Sequence, residues 1–126
     1  MTIYKASARQ VKEPKTTPEG EVLYELIGGE ESIVSIAKHV GHALVEVESG
    51  KGSPMHHHNT TEEVYHILKG QMDLTVDGVE DRLDVDDVVY IQPGQVHQYT
   101  NPGPGILRFV VISGPPWTPD DMHIEG

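Results

Sequence analysis

The chain has 126 residues, no cysteine, eight histidines and a formal charge of −11, with 37% hydrophobic and 23% charged residues. These values fit one compact domain rather than a disordered chain. They exclude a disulfide framework, a thiolate nucleophile and any cysteine-based metal site. Twenty acidic against nine basic residues argue against a phosphate-binding surface, so no nucleic-acid partner is expected. No run reaches the ~18 apolar residues of a membrane helix, and the first residues lack a signal-like apolar run. The expectation is a soluble, cytoplasmic protein with no membrane partner.

Residues 1–20 read as an N-terminal arm: Lys12 to Gly20 mixes proline, charge and glycine and shows no period. From Glu21, short runs of Val, Ile, Leu and Tyr alternate with turn residues about every ten positions, the pattern of an all-β sandwich or barrel. The predicted strands are Val22–Leu26, Ile33–Lys38, Ala43–Glu48, Glu63–Leu68, Gln71–Val76, Glu80–Leu83, Val88–Ile91, Gln95–Thr100 and Ile106–Ser113. Asp77-Gly78 predicts a two-residue hairpin turn, because both positions need positive φ. Asn101-Pro102-Gly103-Pro104-Gly105 reads as a loop. Residues 21–114 form the barrel domain, and residues 115–126 form a C-terminal tail. There Thr118-Pro119-Asp120-Asp121 signals a single helical turn.

Two islands carry chemistry. If His56-His57-His58 is extended, His56 and His58 share one face and His57 takes the other. An i, i+2 imidazole pair suits a divalent transition metal. Glu63 alternates with Tyr65 and Ile67 and points inward with them. In the second island the strand through Val88–Ile91 enters a Pro93-Gly94 turn and re-emerges with His97 and Tyr99 on one face.

The two islands together resemble the cupin superfamily. Its first motif is matched by Gly50, His56, His58, Glu63 and Gly70 at the family's intervals. Its second is matched by Gly94, His97 and Asn101. Asp86 stands where the second motif has its first glycine, and Gln92 stands where it has proline. Both departures touch backbone shape and spare the ligand positions.

The resemblance implies a double-stranded β-helix, or jelly-roll barrel, with little helix. It also implies that His56, His58, Glu63 and His97 bind one divalent metal. Nitrogen and oxygen ligands suit Fe, Mn, Ni or Zn. Tyr65 and Tyr99 fall on the ligand faces and are the candidate catalytic groups, as donors to a substrate or as proton-transfer groups. Equally, each reads as a core tyrosine with a satisfied hydroxyl.

His57 reads as supporting or exposed, while His39, His42, His66 and His123 have no spacing argument. Trp117 is read first as an anchor for the tail and second as a lining of the barrel mouth. The expected function is a metalloenzyme acting on a small polar, oxygen-bearing molecule such as a sugar or carboxylic acid. A dioxygenase, isomerase, decarboxylase or lyase reaction would fit. The alternative is a non-catalytic, metal-dependent binding or sensor module. Exposed sheet edges predict a homodimer.

Overall fold

The computed structural model describes residues 2–126. Eleven strands follow in chain order: β1 (Lys15–Thr16), β2 (Glu21–Ile27), β3 (Gly41–Val47), β4 (His56–His58), β5 (Glu62–Lys69) and β6 (Met72–Val76). After these come β7 (Val79–Leu83), β8 (Val88–Ile91), β9 (His97–Thr100), β10 (Leu107–Gly114) and β11 (Met122–Ile124). They make two sheets, one ordered β1-β2-β3-β10-β5-β8 and the other β11-β4-β9-β6-β7, with every strand pair antiparallel. Among the described residues the only helical segments are the 3-10 turns Ala8–Gln10 and Pro119–Asp121. This is the expected all-β jelly roll.

The period of two decides which side chains enter the space between the sheets. In β5, Glu63, Tyr65 and Ile67 are buried, with Val64 and His66 partly exposed between them. In β10, Leu107 and Phe109 are fully buried and Val111 packs behind them. Val45 and Val47 of β3 oppose them, and on the other sheet Met72 and Leu74 of β6 lie beside Tyr99 of β9, which pairs with Leu74. At about 25 cal/mol per Å² of apolar surface removed from water, this layer is the main favourable term in folding.

The turns follow from backbone chemistry. Asp77 and Gly78 have φ of 48° and 82°, joining β6 to β7 as the mirror-image turn expected of a two-residue hairpin. Gly70 has φ of 81°, and a Cβ there would lie 2.7 Å from the Ile106 carbonyl oxygen. Asp86, which replaces the motif glycine, adopts φ of 74°, the left-handed region that glycine enters freely. Asp86→Gly should therefore stabilise the fold by about 0.5 kcal/mol. A thermal melt that falls instead would show that this residue carries no backbone strain. At the other departure, the Gln92 N–H donates to Gln95 Oε1 at 2.9 Å, a bond that proline could not make.

The segment Ile33–Lys38 is not a strand. Val34 makes one isolated bridge to Ile27, and Ile33 and Ile36 are exposed. Its β-branched residues have strand propensity, but the contact with the edge of β2 is too short for a ladder: the Val34 N–H donates to the Leu26 carbonyl at 2.9 Å and the Ile33 N–H to that of Glu25 at 3.4 Å.

The two ends of the chain also join the sheets. Strand β1 pairs with β2, opposing Lys15 to Leu23. Beyond the turn at Pro119–Asp121, β11 adds to β4 and opposes Met122 to His58. The Asp121 carboxylate accepts the N–H groups of Thr60 and Thr61 at 3.0 and 2.9 Å, which docks the tail beside the histidine strand.

Candidate metal centre

Strand β4 is three histidines, and alternation buries the outer two while His57 turns outward toward Glu125. Its neighbour β9 opposes His97 directly to His56, with ring centroids 4.2 Å apart. Glu63 comes from the other sheet and crosses the interlayer space to meet them. His56, His58, Glu63 and His97 are all buried, at 1–6% exposure, and their ligand atoms lie within 4.8 Å of one another.

The ring nitrogens show how the cluster is prepared. His56 Nδ1 lies 2.8 Å from the Pro54 carbonyl oxygen, and His97 Nδ1 lies 2.9 Å from that of Gln95. A carbonyl only accepts, so each Nδ1 carries the proton and each Nε2 presents a lone pair. Such outer contacts orient metal-binding imidazoles. His58 Nε2 and His97 Nε2 both approach Glu63 Oε1 at 3.3 Å, but neither geometry makes a hydrogen bond. Both nitrogens, and His58 Nδ1, remain buried without a partner. Orphaned buried polar atoms cost ~1–3 kcal/mol each. A divalent transition ion would satisfy the two Nε2 atoms and the carboxylate together, so the residues present fit such an ion.

The electrostatics agree. Burial raises the Glu63 carboxyl, but His58 and His97 against Oε1 outweigh it and hold it at about 2. Burial, then the neighbouring His97, pushes the His56 imidazole down from the ordinary 6.5 to about 4. At neutral pH the site thus holds an ionised carboxylate beside a neutral His56, the forms that bind metal.

For the metal-free protein the consequence has a definite sign. Between pH 6.5 and pH 4 the unfolded chain protonates His56 and the folded chain does not, so stability falls as pH falls through that window. A loss of about 2 kcal/mol between pH 7 and pH 5 should appear in denaturant melts. His56→Asn should flatten the profile. An unchanged slope in that variant would show that His56 does not drive it.

The centre opens into a cavity of about 610 Å³ lined by His56, His58 and Glu63 at one end. Tyr65 and Tyr99 also line it, with Tyr65 donating to Glu63 Oε1 at 3.4 Å and Tyr99 donating to the Glu21 carboxylate. Burial and the nearby carboxylates raise both phenols well above their usual range, so both stay protonated. Glu21 is a cavity residue that the sequence reading did not single out. Its only signal there is that it opens the first barrel strand on the face of Leu23. Trp117 lines the mouth with the Lys15 ammonium 5.4 Å from its ring centroid, so the second of its two readings describes its place. His66, on the outer face of β5, lies 3.8 Å from Asp86 and is away from the centre.

Comparison with known proteins places this geometry in a family. The family model for the cupin domain matches residues 43–113, which contain all four clustered residues. The uncharacterized protein MJ1618 of Methanocaldococcus jannaschii is 32% identical over 126 residues, covering 98% of this chain and 96% of that protein. Among solved structures, KdgF from Halomonas sp. superposes with a TM-score of 0.77 at 13% identity, over 94% of this chain and 98% of that one. A Streptomyces PAC13 variant with uridine gives a TM-score of 0.77 at 16% identity, over 99% and 92%. At such identities the solved structures establish likeness of fold, while the family model and the archaeal relative establish descent. No helix among the described residues is long and apolar enough to cross a membrane. The chain belongs to the cupin family.

Proposed function

We propose that this cupin is a metalloenzyme in which His56, His58, Glu63 and His97 hold one divalent ion of iron, manganese, nickel or zinc. A small polar, oxygen-bearing molecule, a sugar or carboxylic acid, would bind beside it. The observation that carries this reading is the convergence of four buried ligand atoms, within 4.8 Å of one another, at the end of a cavity of about 610 Å³. When bound, the ion supplies Lewis acidity toward a carbonyl or hydroxyl oxygen. The chain's own residues do the rest. The Tyr65 hydroxyl holds the Glu63 carboxylate in place, and the Tyr99 hydroxyl does the same for Glu21. Either phenol can turn its donor to a ligand oxygen, and Phe109, Val45 and Leu23 keep water from the walls. The uridine of the PAC13 structure is a ligand of this polar, oxygen-rich kind held by a like fold.

The test is metal analysis of anaerobically purified protein, then assays of oxygen uptake, isomerisation, decarboxylation and elimination across sugars, nucleosides and carboxylic acids. Turnover that needs the metal supports the enzyme. Ligand-induced melting shifts without turnover under every metal would replace it with a binding or sensor module. We further propose a cytoplasmic homodimer. Val88 and Tyr90 on the free edge strand β8 are 58% and 52% exposed, which gives a second copy an apolar edge to cover. Light scattering should give twice the chain mass, and a concentration-independent monomer would contradict the dimer.

A further inference from the structure

The metal-ligand cluster is one polar part of the cavity lining, and Glu21 is another. Glu21 is pinned at the start of β2, where its N–H donates to Thr17 Oγ1 at 3.1 Å and its carbonyl accepts the Thr17 N–H at 3.1 Å. Its carboxylate lines the cavity and accepts the Tyr99 hydroxyl. Leu23, Val45, Phe109 and Val111 supply apolar wall to the same cavity.

The charges of the lining are lopsided. Outside the ligand cluster it holds Glu21, Glu25, Glu30, Glu31 and Asp120, against Lys15 and no arginine. Lys15 is already engaged. Its ammonium lies 2.7 Å from Glu31 and 3.5 Å from Glu25, over the ring of Trp117. An entering anion therefore meets no free side-chain ammonium or guanidinium. A divalent ion beside Glu63 leaves one net positive charge in the cluster, which the uncancelled carboxylates of the lining outnumber. A carboxylate on an apolar wall can only accept hydrogen bonds, so it recognises O–H or N–H groups. In a low-dielectric cleft its field is focused rather than screened.

We propose that this cavity selects a neutral or cationic ligand that presents an O–H or N–H donor to Glu21, and that it rejects phosphates and carboxylates. The proposal rests on the metal reading for the ligand's other anchor and narrows the class named there to polyols, nucleosides and amino-bearing analogues.

Three probes that share one tert-butyl group read the cavity directly: tert-butylammonium, tert-butanol and pivalate. Protein is loaded with Mn(II) and checked by metal analysis, and the paramagnetic relaxation of each tert-butyl proton signal is then measured. The expected order is ammonium, alcohol, pivalate, with the ends differing about fivefold at low salt and converging at high salt. Glu21→Gln should narrow that gap about twofold. If the variant does not fold, the wild-type order and its salt dependence still decide. Pivalate relaxed as strongly as tert-butanol, or a gap that Glu21→Gln leaves unchanged, would overturn the proposal. Protein that retains no Mn(II) fails at the metal analysis, before any probe is added, and refutes the metal reading together with this one.

Discussion

Replacing His58 or His97 by alanine should remove stoichiometric metal from the protein. Each substitution deletes one of four clustered ligand groups and leaves a void in a buried site. Loss of an outer-shell partner typically weakens a metal site ~10–100-fold, and loss of a ligand should exceed that. Dialysis followed by elemental analysis should find one ion per chain in the wild type and almost none in either variant.

His57→Ala is the contrast, because the same strand presents His57 to the opposite face, where it meets Glu125 at 2.9 Å. That variant should keep its metal. In the metal-free state His58→Ala should lose less stability than His97→Ala, since neither His58 ring nitrogen has a hydrogen-bond partner whereas His97 Nδ1 bonds the Gln95 carbonyl. Metal addition should raise the melting temperature of the wild type alone. Full occupancy in His97→Ala would place the metal elsewhere.

Phe109→Ala should be the most destabilising single substitution in the core, costing ~3–5 kcal/mol. Phe109 is fully buried, its ring 5.1 Å from Tyr99 and 5.2 Å from Tyr65, and its strand pairs it with Val45 and Ile67 on either side. It thus joins the packed end of the sandwich to the cavity wall. Truncation enlarges the cavity and removes the nearer aromatic neighbour of each tyrosine, whose own rings are 6.0 Å apart. In a domain of this length the melting temperature should fall by about 10–20 °C. Phe109→Leu, which keeps most of the volume, should cost under ~1.5 kcal/mol. Metal content should survive both changes, because the ring packs on Tyr65 and Tyr99 and supplies none of the four clustered groups. An alanine variant that melts like the wild type would show that this layer is not where the fold's stability lies.

The two substitutions separate what was legible in the chain from what was not. The convergence of the four residues could be read because imidazoles two apart on one strand, a carboxylate alternating with Tyr65 and Ile67, and a third imidazole beyond Pro93-Gly94 are spacing statements. Strands convert spacing into facing. The core stripes of β6 and β10 followed from the same period of two. Ile33–Lys38 is not a strand because β-branched composition records propensity and not pairing: Ile33 and Val34 bond to β2, which makes one bridge and no ladder. Strands β1 and β11 were invisible for the opposite reason. Two or three residues are too few to carry a period, and only their partners Val22, Leu23 and His56–His58 make them strands.

Glu21 was missed because its role is set by a hydroxyl 78 positions away, on Tyr99. Asp86 shows the converse. The motif's glycine is gone, yet the backbone keeps the positive φ for which glycine is suited, so the fold persisted where the letter changed.

The central claim is that His56, His58, Glu63 and His97 hold one divalent transition ion. Anomalous diffraction at the edge of the metal found by analysis tests it most directly, using crystals of protein purified without added metal or chelator. The account predicts one dominant peak per chain, within bonding distance of three imidazole nitrogens and the Glu63 carboxylate. A metal-containing crystal with no peak between those four side chains, or with its dominant peak elsewhere, would contradict it.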